Sequence, residues 1–190
     1  MDQIQMNFGE DYIPTRPYRF RSGVRAGMYM EEMMFADPLF LIWYLDLCIR
    51  ETSTSYKNKA HKHLEWLMAR GEDRKPQMMC SYCQHKEIVK YFTIRFNSQD
   101  YEPSFGINYT YCENCVDMFT HSAFGNVQRF EFKWSIIKYL NDLYQEKVKT
   151  HIGKIMNMYK EVFVLPDTLN DEMAFEFFRS VNQAPDNIYY

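Results

Sequence analysis

The sequence lacks the motifs that would assign an enzymatic function directly. No segment matches a phosphate-binding P-loop, a dinucleotide-binding fingerprint, a nucleophile elbow or an HExxH metalloprotease motif. The adjacent carboxylates Glu31-Glu32 and Asp171-Glu172 have no partner residues nearby in sequence. His61 and His63 stand two positions apart on a predicted helix, so their side chains point to different faces and do not share one ion. We therefore expect a protein without catalytic activity.

The sequence also has few signs of a secreted or membrane protein. It does not open with a basic stretch followed by an apolar region, so a secretory signal is not expected. The most apolar stretch, Leu39 to Ile49, contains Asp46 and is far shorter than the roughly 20 residues that cross a bilayer. The net charge of −3 argues against a globally basic nucleic-acid coat protein but leaves room for a local basic patch. We expect a soluble intracellular protein, cytoplasmic or nuclear, with no membrane partner.

The chain is long enough to form a sizeable core. Its 190 residues, 46% of them hydrophobic, fit one compact domain or two small ones. Aromatic residues make up 17% and there are 13 methionines, which predicts a core rich in these side chains. The apolar pattern predicts an α+β fold with a helical N-terminal module, a central β-hairpin and a long C-terminal helix or helix pair.

Three helices are predicted in the N-terminal module. They cover about residues 28–35, 38–50 and 56–70. Asp37 and Pro38 supply an N-cap and a first-turn proline for the second helix. That helix is apolar nearly all round, which predicts a buried position with Phe40 and Trp43 in the core. Gly71 is expected to end the third helix.

The remainder of the chain is predicted to form two strands and then helices. The predicted elements are strands at about 88–96 and 105–111, a loop at 97–104, a long amphipathic helix from about Phe130 to Leu165, and a short helix at 171–181. Gly153 is a point where the long helix can bend or break. The expected segments are an arm (1–15), a small helical module (16–75), a metal-binding module (76–125) and a C-terminal helical segment (130–190).

Four of the five cysteines form two CxxC pairs, which is the strongest functional signal in the sequence. Cys80 and Cys83 are separated by 28 residues from Cys112 and Cys115. Each pair can fold as a tight knuckle with both sulfurs aimed at one point, and predicted strands leave the first pair and enter the second. We expect one structural zinc ion held by all four thiolates; another metal, such as a redox iron site, and unrelated cysteines are the alternatives. Cys48 is expected to be a buried thiol.

This arrangement resembles a zinc ribbon over about Met78 to Phe119. Either of two nearby histidines, His85 and His121, has the chemistry to replace a cysteine ligand, although an ordinary surface position is the simpler expectation. A site with four protein thiolates has no open position for substrate, so the ion is expected to stabilise the fold. A ribbon is a shape and does not by itself name a function.

The region before the cysteines is similar to a small accessory domain at the C-terminus of exodeoxyribonuclease X-like proteins. The similarity rests on a spaced glycine pair, an acidic helix and an Asp-Pro followed by aromatic or aliphatic positions and a Trp-Leu-type ending. The matching residues are Gly23, Gly27, Asp37, Pro38, Phe40, Leu41, Trp43 and Leu45. The residue before the first glycine is Ser22 where the family has Phe, and only Arg25 is basic between the glycines. The resemblance implies an association with nucleic-acid processing rather than the chemistry itself.

A segment rich in arginine and aromatic residues adjoins this region. Its arginines are Arg16, Arg19, Arg21 and Arg25, interleaved with Tyr18, Phe20 and Tyr29. Arginine binds phosphate with two parallel hydrogen bonds and aromatic rings stack unpaired bases, which predicts nucleic-acid contact. A protein-facing role and a plain solvated surface with intramolecular ion pairs remain open.

The leading hypothesis is a non-enzymatic zinc-binding accessory subunit of a nucleic-acid-handling complex. A protein partner would bind the C-terminal helical segment. The alternative is a purely structural, zinc-stapled subunit of a protein assembly, such as a viral or phage particle or a multi-subunit complex, without nucleic-acid contact.

Overall fold

A computed structural model describes residues 12–50, 55–96, 103–104, 109–118, 127–135 and 148–180. Helices and a small antiparallel sheet make up the fold, as the predicted α+β class requires. The chain divides into two compact units. The first unit comprises Met1–Asp73 and Leu169–Tyr190, and the second comprises Arg74–Thr168.

The elements follow one another in a simple order. The first unit contains helices α1 (Met30–Ala36), α2 (Pro38–Arg50), α3 (Ser55–Asp73) and the last helix, α5 (Asp171–Arg179). The second unit contains strands β1 (Gln77–Met79), β2 (Lys86–Phe96), β3 (Pro103–Ser104), β4 (Thr110–Cys112) and β5 (Val127–Glu131), a 3-10 helix (Glu113–Met118) and helix α4 (Val148–Val162).

The predicted start of α2 is confirmed. Oδ1 of Asp37 accepts a hydrogen bond from the backbone N–H of Phe40 at 3.3 Å, so the side chain caps the helix that Pro38 begins. The prediction that α2 is buried all round is wrong, because Trp43 is 57% exposed and Ile49 is 51% exposed. Burial follows one stripe of the helix, and an apolar sequence does not require that every face be covered.

Two glycines allow the chain to reverse direction before α1. Gly23 has φ +83° and Gly27 has φ +89°, a backbone region that side chains with a Cβ rarely adopt. The two sides of the turn are joined by hydrogen bonds from the Phe20 N–H to the Met28 carbonyl and from the Gly27 N–H to the Phe20 carbonyl, each 2.9 Å. The chain therefore reverses direction within the segment that carries the four predicted arginines.

The last helix completes the core of the first unit. Asn170 caps α5 by accepting a hydrogen bond from the Met173 N–H at 2.9 Å. Phe177 lies 5.4 Å from Phe35 of α1, and Phe175 lies 5.8 Å from Trp66 of α3, measured between ring centroids. The chain thus leaves the second unit at Leu169, inside the segment 130–190 that the sequence suggested as one piece. Long-range aromatic contacts of this kind leave no local sequence signal.

A buried hydrogen bond between a carboxylate and an imidazole joins α1 to α3. Glu31 and His63 are 0% and 1% exposed, and Nε2 of His63 lies 2.6 Å from Oε1 of Glu31. The Tyr18 backbone N–H also donates to both carboxylate oxygens, at 3.2 and 3.1 Å. A buried carboxylate is costly unless it is paired in this way. His61, two positions before His63, instead lies 3.4 Å from Glu65, so the two histidines point to different partners as predicted.

Strand β2 is the hub of the second unit. It pairs antiparallel with each of the other four described strands. The pairings with β4 and β5 share Tyr91 and Phe92, so these strands flank β2 on opposite edges. The register with β4 shifts between Val89 and Tyr91, which marks a β-bulge at Lys90. An extra residue reverses the alternation of faces, and it explains why Val89 and Phe92, three positions apart, are both fully buried.

The prediction that a long helix begins near Phe130 is wrong. Phe130 and Glu131 belong to β5, and the apolar side chains Phe130, Phe132 and Trp134 alternate with polar ones, which is the period of a strand. Phe132 lies 4.5 Å from Phe92 of β2 between ring centroids, and Trp134 lies 5.2 Å from Tyr159 of α4. Aromatic packing between sheet and helix therefore forms this core. In the described residues that follow, the helical spacing that led to the prediction corresponds to α4, which begins at Val148.

Glycine does not interrupt either predicted helix. Helix α3 continues through Gly71 to Asp73, and α4 continues through Gly153 to Val162. A single glycine weakens a helix by only about 1 kcal/mol relative to alanine, which neighbouring contacts readily offset. The long helix predicted from Phe130 overlaps residues 136–147, which lie outside the described ranges, as do residues 97–102 and 105–108 of the predicted loop and strand. Across the described helices, none is both long enough and apolar enough to cross a membrane.

Loss of the buried histidine should destabilise the first unit specifically. We expect His63→Ala to lower the opening free energy of α1 and α3 amides in hydrogen exchange by about 3 kcal/mol or more, because the buried Glu31 carboxylate then keeps only the Tyr18 backbone N–H as a partner. His61→Ala, two residues away on the same helix, removes only a partly exposed pair and should cost less than about 1 kcal/mol. Equal effects of the two substitutions would contradict a special role for the buried pair.

Candidate metal centre

The first CxxC pair lies in the tight turn between β1 and β2. The Cys80 N–H donates to the His85 carbonyl at 2.9 Å, and the Gln84 N–H donates back to the Cys80 carbonyl at 3.0 Å. Gln84 itself has φ +61°, in the left-handed region that a residue with a side chain enters only when the surroundings require it. These bonds close the loop over residues 80–85, so the four-residue motif is folded as the knuckle that its spacing predicts.

A second set of hydrogen bonds ties this knuckle to β4. The Ser81 N–H donates to the Thr110 carbonyl at 2.7 Å, and the Thr110 N–H donates to Oγ of Ser81 at 2.9 Å. The Thr110 hydroxyl in turn donates to the Met79 carbonyl at 2.6 Å. Two residues beyond Thr110 is Cys112, so these contacts bring the two CxxC pairs together although 28 residues separate them in sequence.

The second pair spans the end of β4 and the start of the 3-10 helix. Cys112 is the last residue of β4 and pairs with Val89 of β2, and Cys115 follows one turn later. Lys90, the residue at the bulge in β2, lies 2.7 Å from Oε1 of Glu113 between the two cysteines. This ion pair raises the pKa of Lys90 and lowers the pKa of Glu113. The bulge therefore places the Lys90 ammonium of β2 next to the Glu113 carboxylate of the second knuckle.

The four predicted ligands converge on one point. Their Sγ atoms all lie within 4.8 Å of one another. Four sulfurs bound tetrahedrally at about 2.3 Å from one ion would lie about 3.8 Å apart, so the cluster has the size of an S4 metal site. Cys80, Cys112 and Cys115 are buried and Cys83 is half-buried, and Tyr91 and Tyr109 pack against them. The geometry can hold a metal ion.

The electrostatics of the cluster favour a cation. Burial raises the pKa of the Cys80 thiol, but hydrogen bonds from the backbone N–H groups of Cys112, Cys83 and Tyr82 more than offset this and lower the pKa to about 6. Burial raises the pKa values of Cys112 and Cys115. The protein alone therefore favours a thiolate at Cys80 but disfavours thiolates at Cys112 and Cys115. A divalent cation removes that limit, since it deprotonates the thiols that it binds.

A second, overlapping set of ligand types lies at the edge of the cluster. Ligand atoms of Cys83, His85 and Glu87 also lie within 4.8 Å of one another. His85 is 77% exposed at its side chain and 4.0 Å from Glu87, so it lies at the surface while three cysteines are buried. The all-cysteine set is the more enclosed of the two. His121 lies outside the described residues, and Cys48 is a buried cysteine in the first unit, as predicted.

Two of the predicted nucleic-acid-binding arginines contact their own chain. Nε of Arg19 donates to the Gly27 carbonyl at 3.0 Å, and its guanidinium lies 5.8 Å from the centroid of the Tyr29 ring. Arg25 forms an ion pair with Asp37 and lies 5.4 Å from the centroid of the Phe40 ring. These contacts are the intramolecular pairs that the sequence left open as an alternative.

The structure separates Arg25 from the other three arginines. Arg16, Arg19 and Arg21 are exposed and border one cavity of the first unit, whereas Arg25 does not line it. Lys59 of α3 also borders this cavity and was not among the predicted residues. Its position more than 30 residues along the chain gave the sequence no reason to group it with the arginines.

Comparisons with protein-family models, with curated proteins and with solved structures find no match to this chain. The resemblances to a zinc ribbon and to the exodeoxyribonuclease X accessory domain therefore remain predictions. What the structure supports independently is the four-cysteine cluster.

Removal of one clustered cysteine should abolish metal binding, and removal of the fifth should not. We expect elemental analysis to find about one ion per chain in the wild-type protein and in Cys48→Ala, and close to none in Cys112→Ala, because three thiolates leave a structural site incomplete. Both substitutions remove a buried thiol, so the pair is matched for loss of volume. Full metal content in Cys112→Ala would show that the cluster is not the binding site.

Proposed function

We propose that Cys80, Cys83, Cys112 and Cys115 hold one structural zinc ion in a zinc ribbon that covers about Met78 to Phe119. The convergence of four sulfurs within 4.8 Å supports this proposal. Zinc favours tetrahedral thiolate sites that leave no open position for substrate. The alternative of a redox iron site is distinguished directly, since a zinc site is colourless and four-thiolate iron is coloured.

We further propose that the protein is a non-enzymatic accessory subunit of a nucleic-acid-handling complex. The observation that carries this proposal is the grouping of Arg16, Arg19 and Arg21 around a single cavity, together with Lys59 from a distant part of the chain. Clustered basic side chains next to aromatic rings are the usual means of binding phosphate and bases together. In this proposal the zinc ion supports the fold and makes no contact with the nucleic acid.

A second candidate is a zinc-stapled structural subunit of a protein assembly without nucleic-acid contact. The intramolecular contacts of Arg19 and Arg25 and the exposure of Trp43 and Ile49 on α2 favour it. A partner was predicted to bind the C-terminal helical segment. Phe175, Phe177 and Phe178 of that segment are buried within the first unit, so these three side chains are not available for the proposed contact.

Metal removal should unfold the second unit and leave the first unit folded. Structural zinc contributes roughly 10 kcal/mol or more in small zinc-binding peptides, and the knuckles join β1, β2 and β4. We expect chelation to abolish hydrogen-exchange protection in β2 while α1 and α3 keep theirs. The first unit is the internal control. Unchanged protection of β2 after complete metal removal would contradict the structural role.

Binding of nucleic acid should depend on salt and on the exposed arginines. We expect the intact protein to bind single- or double-stranded nucleic acid at low salt, with log K falling linearly with log salt concentration. The double substitution Arg16→Ala, Arg21→Ala should make that slope shallower by roughly 1.4 to 1.8, since each phosphate contact contributes about 0.7 to 0.9.

The matched control replaces two exposed arginines elsewhere in the first unit. Arg50→Ala, Arg179→Ala makes the same change in net charge and should leave the slope unchanged. If the wild-type protein binds neither kind of nucleic acid at low salt, the nucleic-acid role fails and the assembly candidate becomes the better account.

A further inference from the structure

The first unit contains a cavity of about 960 Å³ between the arginine-rich segment and α3. Its described lining includes Arg16, Arg19 and Arg21 on one side and Lys59 and His63 on the other. Ligand sites in proteins typically measure about 300 to 1,000 Å³. The cavity is thus large enough for a ligand of the size of a nucleotide or a short stretch of nucleotides.

The cavity is strongly positive although the whole chain is negative. Its described lining has four basic side chains, with Lys59 added to the three arginines, and one carboxylate, Asp171. With His63 neutral, four positive charges and one negative charge give a local formal charge of +3, against −3 for the entire sequence. A concave surface with one sign of charge concentrates ligands of the opposite sign, which here means anions.

Hydrogen bonding fixes the polar wall of the cavity. The buried pair of His63 and Glu31 continues to Tyr12, whose hydroxyl lies 3.2 Å from Nδ1 of His63. With Nε2–H donated to Glu31, Nδ1 accepts the proton of the Tyr12 hydroxyl. The Glu31 carboxylate, itself outside the lining, is hydrogen-bonded to His63 and to the backbone of Tyr18, so Asp171 is the carboxylate of the described lining that an entering anion would meet.

Aromatic rings complete the lining. Tyr12, Tyr18, Phe20 and Tyr29 all border the cavity. Phosphate alone would need only the basic side chains, whereas flat rings in a concave wall suit the face of a base. Bases in a duplex are stacked on one another, and a concave pocket contacts the face of a base only when that base is unpaired.

We propose that this cavity binds an unpaired nucleotide unit of a nucleic-acid strand, with phosphate held by Lys59 and the neighbouring arginines and the base placed against the tyrosine rings. The inference rests on the proposed nucleic-acid role. It adds the cavity as the binding site, an unpaired strand as the ligand and Lys59 as a contact residue. Lys59 is the sharpest test residue because Lys62, three positions later on α3 and equally exposed, does not line the cavity.

The test measures binding of a fluorescently labelled eight-nucleotide oligothymidylate to the full chain by anisotropy at low salt. We expect Lys59→Ala to weaken binding roughly tenfold, the loss expected of one charge-assisted hydrogen bond, and Lys62→Ala to change it less than twofold. Both substitutions change net charge equally, so a general electrostatic effect would weaken both alike. Equal weakening by the two would overturn the assignment of Lys59.

Three further ligands distinguish the proposal from related modes of binding: an abasic strand, a duplex and thymidine monophosphate. An abasic strand of the same length and charge should bind several-fold more weakly, and equal binding would overturn the role of the base. A duplex of the same length should bind more weakly and without dependence on Lys59. If the duplex binds equally well and Lys59→Ala has no effect, the cavity proposal fails while the general nucleic-acid role survives.

Thymidine monophosphate distinguishes a strand from a free nucleotide. If it binds as tightly as the oligonucleotide and with the same dependence on Lys59, the cavity serves a free nucleotide and the strand proposal is overturned. If neither the strands nor the mononucleotide binds at low salt, the proposed nucleic-acid function and the cavity inference fail together.

Discussion

Four sulfur atoms within 4.8 Å of one another are the constraint on which the second unit depends. The sulfurs come from the knuckle at Cys80, the end of β4 and the 3-10 helix. Hydrogen bonds between Ser81 and Thr110 connect these two distant parts of the chain. The protein's own backbone stabilises a thiolate at Cys80 but leaves Cys112 and Cys115 with raised pKa values. A cation is the simplest means of making the full arrangement favourable.

The first unit depends on a different polar contact. Glu31 and His63 are both almost completely buried, and their pairing joins α1 to α3 at the point where the chain reverses before α1. The last helix, α5, then covers the aromatic side of the same core through Phe175 and Phe177. One buried hydrogen bond between Glu31 and His63 and one returning helix therefore connect segments of this unit that are far apart in sequence.

The proposed activities fall in different units, which bears on how the protein would work. The cysteine cluster lies wholly in the second unit, and the basic cavity lies wholly in the first. A zinc ion with four thiolate ligands has no position left for a substrate, so it stabilises a fold while contact with other molecules is left to protein surfaces. The cavity offers such a surface, and its described lining is positively charged although the net charge of the whole sequence is negative.

The sequence by itself determined the features that depend on local spacing. The CxxC pairs, the capping Asp37 before Pro38 and the turn at Gly23 and Gly27 were all predictable, because each requires only a few neighbouring residues. Tertiary structure alone decided that residues 130 and 131 belong to the sheet, that α5 returns to the first unit and that Lys59 joins three arginines at one cavity. These outcomes depend on contacts between residues far apart in the chain, where no periodicity or motif records the partner. The cysteines are the exception, because one ion needs four ligands and the paired spacing therefore predicted that the two knuckles meet, as the four clustered sulfurs do.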